Sequence, residues 1–178
     1  MPSMYRNITT GLWTSHKYFR DLSPMERYIY IYLLSCTFTS ELSLFPLPID
    51  LQPAILKLEI DKFMDAFRKL ESKGIIFYDE EHEEVLVAHY FDNHTPNAGI
   101  TYEMYRNDLM EIKSEKLVDR LVEIAKNYKI SLAFYAALAD RRPFLESAEV
   151  MSGYSFKDKE PKPLHEIRTL ARKGRENR

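Results

Sequence analysis

An α+β fold, mainly helical, is what this sequence predicts, and three observations predict it. Ala54, Leu58, Ile60, Phe63, Phe67 and Leu70 are spaced as two short helices packed across a tight turn. Lys73-Gly74 follows, where a glycine can take the left-handed backbone that stops a helix. Two β-rich runs then flank the polar turn Asp79-Glu80-Glu81-His82-Glu83-Glu84, namely Ile75-Ile76-Phe77-Tyr78 and Val85-Leu86-Val87-Ala88-His89-Tyr90. That is the pattern of a hairpin. The expected spans are a helix near 50–58, a helix near 61–73 and a hairpin at 75–90. Helix, helix, hairpin is the order of a winged helix-turn-helix. The unit reads nucleic acid in many proteins and binds only protein in others.

The elements before this stretch can be read in turn. Residues 8–13 suggest a short edge segment, with Trp13 and Phe19 as apolar anchors. Ser23-Pro24-Met25-Glu26 is a helix start: Ser caps, Pro lacks an N–H where none is needed, and Glu three residues on closes a capping box. The helix that follows, to about Cys36, is apolar nearly all round, from Met25 through Tyr28, Ile29, Tyr30, Ile31 and Tyr32 to Leu34. A helix without a polar face belongs at the centre of a core. Residues 42–47 form a short β-rich run ended by Pro46 and Pro48, expected to join the hairpin in a small sheet. Asp50 should cap the next helix, with Pro53 tolerated in its first turn. The turn Leu58-Glu59-Ile60 lacks glycine, so Glu59 must carry an awkward backbone or the turn is of another kind. Asp61 should cap the second helix.

Beyond Tyr90, turn formers from Phe91 to Gly99 give way to helical stripes. Tyr102, Tyr105, Leu109 and Ile112 make one. Leu117, Leu121, Ile124 and Tyr128 make another after a Ser114 cap, and Leu132, Tyr135, Ala136 and Leu138 a third after Ser131. Such stripes bury against the chain's own core or form a dimerisation arm. The organisation is thus a winged-helix domain at 1–94, a helical extension at 95–145 and a flexible basic tail at 146–178. At 164–173 the tail could form a short basic amphipathic helix.

Composition excludes several classes. A chain of 178 residues with 45% hydrophobic content, 12 Tyr and 10 Phe is a folded globule. No apolar run approaches the ~20 residues of a membrane span, and residues 1–20 lack a secretory pattern. The one cysteine, Cys36, forbids an intrachain disulfide, fits a reducing cytoplasm, and reads as a buried structural thiol. Five glycines leave little room for a phosphate-cradling loop, and no nucleophile stands with a base. No catalytic residue, cofactor or metal is expected. His89, Asp92 and His94 match no compact zinc spacing and read as structural or solvent-facing.

Charge divides the chain. Residues 155–178 carry eight Lys or Arg against four Asp or Glu, a net of +4, so the preceding residues sum to -6 against the chain's -2. An acidic body is an awkward partner for DNA, whose non-specific affinity comes from neutralising phosphates.

On the second helix of the pair, Phe63, Phe67 and Leu70 mark the buried face. Asp61, Asp65, Arg68, Lys69 and Ser72 lie opposite, flanked by Lys62 and Lys73. A recognition helix would lay this surface in the major groove, with Arg68 and Lys69 reaching phosphates or guanines. An ordinary solvated face accounts equally well for the four basic residues of 61–73, set against three acidic ones once Glu71 is included. The candidate DNA contacts are Lys62, Arg68, Lys69 and Lys73, helped by Arg168, Arg172 and Lys173 from the tail. The acidic hairpin tip would repel phosphate and should stay clear.

Three stretches together carry a resemblance. They are Leu12-Trp13, the run from Leu22-Ser23-Pro24-Met25-Glu26 through Leu34, and Leu70-Glu71-Ser72-Lys73-Gly74-Ile75-Ile76-Phe77-Tyr78-Asp79. Over roughly residues 6–94 the chain resembles phage and prophage replication proteins, the replisome organisers of Gram-positive phages. It is similar there to the N-terminal winged-helix domain of DnaD-type primosome proteins. The resemblance implies a winged helix that acts on double-stranded DNA at a replication origin, self-associates, and recruits helicase-loading machinery. Such proteins are often longer, and here only 84 residues follow position 94. The alternatives are a winged-helix scaffold that binds only protein, favoured by the acidic body, and a transcriptional regulator, which would share nearly every feature.

Overall fold

The computed structural model describes residues 8–93, 102–128, 130 and 132–141. Helices dominate, around one small antiparallel sheet. In chain order the elements are α1 (Gly11–Thr14), α2 (Lys17–Arg20), α3 (Pro24–Ser35), β1 (Leu44–Pro46), a 3-10 turn (Ile49–Leu51), α4 (Gln52–Leu56) and α5 (Ile60–Ser72). Then follow β2 (Ile76–Asp79), β3 (Glu84–Val87), α6 (Tyr90–Asn93), α7 (Tyr102–Glu111), α8 (Glu115–Ala125) and α9 (Leu132–Arg141).

α3 begins as its sequence dictates. The Glu26 N–H donates to Ser23 Oγ at 3.3 Å, and the Ser23 N–H donates to Glu26 Oε2 at 2.6 Å. Two of the orphan donors of the first turn are thereby satisfied. Ile29, Tyr30, Leu33 and Leu34 are wholly buried, so the helix lies in the core as expected. Its apolar character is not matched by burial all round, because Tyr28 remains 47% exposed.

β3 is the middle strand of the sheet, between β1 and β2. Leu44 pairs with Leu86 on one side and Phe77 with Leu86 on the other. All four β3 residues are buried, because α8 lies against all three strands with Leu117, Val118 and Leu121 inward. The outer edges are partly occupied. Ser43 and Leu47 bond towards β3, so Leu44 turns its carbonyl outward, where the Ser40 hydroxyl donates to it at 2.7 Å. Pro46 has no N–H to offer. On the far edge the Tyr78 N–H donates to Glu71 Oε1 at 3.3 Å.

Several local expectations are corrected. Residues 8–13 hold the start of a helix, not an edge strand. There Leu12 is the buried anchor, while Trp13 is 55% exposed and meets the Phe19 ring edge-on at 5.1 Å. Asp50 caps nothing: it lies inside the 3-10 turn, and α4 starts at Gln52 without a side-chain cap. The turn before α5 is carried by Lys57, in the left-handed region at φ 55°, and not by Glu59. Glu59 is the extended residue ahead of α5, which puts Asp61 inside the first turn, where its charge favours the helix N-terminus without capping it. Ala54 is exposed and Ile60 is 67% exposed, so the buried stripe of the pair rests on Phe63, Ala66, Phe67 and Leu70. Gly74 has φ +67°, as a helix-stopping glycine should.

The later helices cover the chain's own core. Tyr105, Leu109, Ile112, Leu117, Leu121, Tyr135, Ala136 and Leu138 are buried. One hydrophobic cluster runs from Leu12 to Leu138. Tyr102, Ile124 and Tyr128 of the same stripes are half-buried. Ser114 Oγ accepts the Leu117 N–H at 3.2 Å and caps α8 as expected. The Ser131 cap, His94 and the whole tail, with Arg168, Arg172 and Lys173, lie outside the described residues. Among those residues no helix is long and apolar enough to cross a membrane.

Candidate nucleic-acid interface

α5 presents the face that the sequence singles out. Phe63, Ala66, Phe67 and Leu70 turn inward, with the Phe63 and Phe67 rings stacked at 5.6 Å, so Asp61, Lys62, Asp65, Arg68, Lys69, Ser72 and Lys73 face solvent. All four candidate cations, three on the helix and Lys73 just after it, are thus exposed. They are not equally available. Lys62 Nζ lies 2.9 Å from Glu59 Oε1 and Lys69 Nζ 2.6 Å from Asp65 Oδ2, both in exposed pairs. Pairs of this kind hold weakly, because water and salt screen them.

Lys73 is held differently. Its ammonium is 2.8 Å from Glu26 Oε1, and the Glu26 side chain is only 2% exposed. Burial pushes the Glu26 carboxyl up, but the Lys73 ammonium and the Ser23 N–H outweigh it and hold the group below its ordinary value. Lys73 therefore balances a buried charge. Arg68 has no ion pair among the described residues and is the least committed cation on α5.

The acidic hairpin is also more structured than its composition suggests. Asp79 and Glu84 are directly paired across β2 and β3 and do not sit at the tip. Like charges so placed repel. Here the start of α8 offsets the repulsion: Glu84 is buried and accepts the N–H groups of Lys113 and Ser114, each at 2.8 Å. Asp79 accepts the Ser114 hydroxyl at 2.5 Å. That bond, assisted by His82 and the Glu81 N–H against the opposing effect of burial, lowers the Asp79 carboxyl to about 2. Two carboxylates thus sit where a helix N-terminus favours negative charge. Glu80, Glu81 and Glu83 remain at the tip, with Glu80, Glu81 and Glu83 exposed.

His89 and Asp92 form a clamp. His89 Nδ1 is 3.0 Å from Asp92 Oδ2, the Tyr128 hydroxyl donates to Asp92 Oδ1 at 2.8 Å, and the Tyr18 ring stacks on His89 at 4.0 Å. Burial raises the Asp92 carboxyl, but these two hydrogen bonds prevail and lower it. The cluster joins α2, α6 and the end of α8, which accords with a structural role for His89 and Asp92. Phe77, His89, Arg120, Asn127 and Tyr128 line a shallow cavity of about 400 Å³ beside it, where the Arg120 guanidinium lies over the Phe77 ring at 4.5 Å. Among the described residues no group of three His, Cys, Asp or Glu is placed to hold a metal ion. Cys36 is half-buried and not fully enclosed, with Sγ 3.2 Å from Thr39 Oγ1.

Glu26 and Glu84 take parts that the sequence did not reveal, as does the Ser114 hydroxyl in its bond to Asp79. Glu26 was legible as a cap but not as the partner of a lysine 47 residues away. Comparison with family models, curated proteins and solved structures found no match.

Proposed function

We propose that the chain is a DNA-binding organiser of replication initiation, of phage or prophage type. In this reading it acts in the cytoplasm as a winged helix-turn-helix, contacts double-stranded origin DNA through α5, and recruits helicase-loading proteins, self-associating as it does so. The observation that carries the reading is the element order: α4, a tight turn at Lys57, α5 and a hairpin, with β1 alongside the hairpin and α3 behind α5. An exposed α5 face bearing Lys62, Arg68 and Lys69 supports it. The two exposed lysine pairs can exchange a carboxylate for a phosphate, whereas Lys73 leaves the contact set because its removal would strand Glu26.

A second reading has its own observation. Leu51, Ile55 and Ile60 are 55%, 53% and 67% exposed around the α4–α5 turn, beside the surface a duplex would approach. Together with the acidic hairpin, these side chains favour a winged-helix scaffold that binds protein alone. Titration with duplex and single-stranded DNA at 50 and 200 mM salt decides between them. Salt-sensitive duplex binding that weakens in R68A/K69A supports the first reading. No binding to either DNA at low salt leaves the scaffold.

A further inference from the structure

Trp13 is the only tryptophan of the chain, and more than half of it is exposed on α1. A lone apolar side chain at a surface is ordinary. Trp13 differs in what surrounds it. The buried Phe19 ring meets it edge-on at 5.1 Å, so the indole rests on a fixed support. The Arg27 guanidinium lies over the same phenyl ring, 5.5 Å from its centroid. It is held there by donating to the Phe19 carbonyl at 3.2 Å and to the Arg20 carbonyl at 2.6 Å. Indole and guanidinium are thus one phenyl ring apart.

Charge singles out the same place. Lys17 and Arg20 are exposed on α2, and neither they nor Arg27 is paired with a carboxylate among the described residues. Across residues 9–28 the acids are Asp21, which is exposed, and Glu26, which is buried against Lys73. Three unpaired cations therefore stand against one exposed carboxylate, on a body that is acidic in sum. A supported aromatic ring beside unpaired cations supplies both parts of a single-strand site: the charges follow the phosphates and the ring takes a base. A duplex makes no use of such a ring, because its bases already stack on one another and present only their edges in the grooves.

We propose that Trp13 stacks on a base of single-stranded DNA while Lys17, Arg20 and Arg27 contact the phosphates beside it. The contact tolerates any sequence, because every base has a π-face. It lies on α1, α2 and the start of α3, apart from the exposed face of α5. Only the choice of DNA over RNA rests on the reading of the chain as a DNA-binding protein.

Because Trp13 is the only tryptophan, its fluorescence reports the contact directly. The full-length protein is titrated with oligo(dT), with oligo(rU) of the same length and with a duplex of that length, at 50 and 200 mM salt. Oligo(dT) should quench the emission saturably, and its affinity should fall about twentyfold between the two salts, as three contacts to a single strand require. W13A, followed by the anisotropy of labelled oligo(dT), should bind at least about fivefold more weakly, and W13F should recover part of the loss. K17E/R20E, changed at two exposed positions, should weaken binding at 50 mM and flatten its salt dependence with the circular dichroism unchanged. R68A/K69A should be quenched as the parent is. Its duplex titration reads α5 separately, so either surface can fail alone. Emission unmoved by oligo(dT) at 50 mM overturns the proposal and leaves Trp13 to a protein partner. Equal quenching by the duplex also overturns it, and a tighter hold on oligo(rU) overturns the choice of DNA. Quenching lost in R68A/K69A overturns it as well, since the strand would then lie on α5.

Discussion

Lys73 Nζ lies 2.8 Å from Glu26 Oε1, and the other oxygen of the same carboxylate accepts the Ser23 N–H that opens α3. One buried side chain thus closes the start of α3 and ties down the end of α5. The two helices pack together, so the pair fixes the axial position of α5 relative to the core.

Removing Lys73 should therefore damage stability rather than recognition. Lys73→Ala leaves the Glu26 carboxylate buried with its main counter-charge gone, at a cost of about 1–3 kcal/mol. Lys69→Ala, at an exposed pair, should leave stability nearly unchanged. The Glu26 carboxyl is held below its ordinary value, so the pair's contribution is complete above the usual glutamate range and is lost as pH falls through the lowered value. Urea unfolding of both variants at pH 7 and pH 3 checks this. Equal losses for the two at pH 7 would show that Glu26 does not depend on Lys73.

Ser114 should govern the acid limb through Asp79. Because the Asp79 carboxyl is lowered to about 2, its stabilisation is present above its unfolded value near 4 and fades as pH falls towards 2. Ser114→Ala removes the bond that contributes most to the lowering and also the cap of α8, the latter worth about 1 kcal/mol. The Asp79 titration, followed by NMR, should move to higher pH in the variant. An unmoved titration would discard this account.

Salt dependence of DNA binding should reflect three contacts on α5. With Lys62, Arg68 and Lys69 engaged, the slope of log K against log salt should be about -2.7, a loss of roughly fortyfold between 50 and 200 mM. R68A/K69A should lower the slope by about two contacts. K73A, compared where it remains folded, should keep the parent slope. A parent slope retained in R68A/K69A removes α5 from the interface.

Gly74→Ala should cost about 1 kcal/mol. A Cβ built at Gly74 meets no atom within 4 Å, so the penalty is purely that of φ +67°. Gly74→Asn should recover part of it, since asparagine tolerates this region. Equal melting temperatures for parent and alanine variant would contradict the conformational argument.

What could be read from the chain alone was what short segments dictate. Ser23 to Glu26 carry their whole capping box within four residues, and the hairpin and its glycine stop are equally local. The α5 face was legible because Phe63, Phe67 and Leu70 lie on one helix. Asp50 and Asp61 misled because acidic residues at plausible cap positions do not report where the turn falls, and Lys57 took the left-handed conformation instead. Glu84 looked like one more acid in a solvated loop. Only the approach of α8, almost thirty residues later, shows that its carboxylate receives two amides. The state of the four α5 cations was illegible for the same reason, since it depends on partners as distant as Glu26.

The two outer strands of the sheet have a consequence beyond this fold. An open strand edge is a template on which another chain can add its own strand, the first step of sheet-mediated aggregation. Here Leu44 already has its outward carbonyl served by Ser40, Pro46 offers no N–H, and the outward N–H of Tyr78 is taken by Glu71. With three short strands and both borders partly occupied, the sheet offers a poor template for strand addition. Crowding it at high concentration should favour contacts through side chains over backbone zippering.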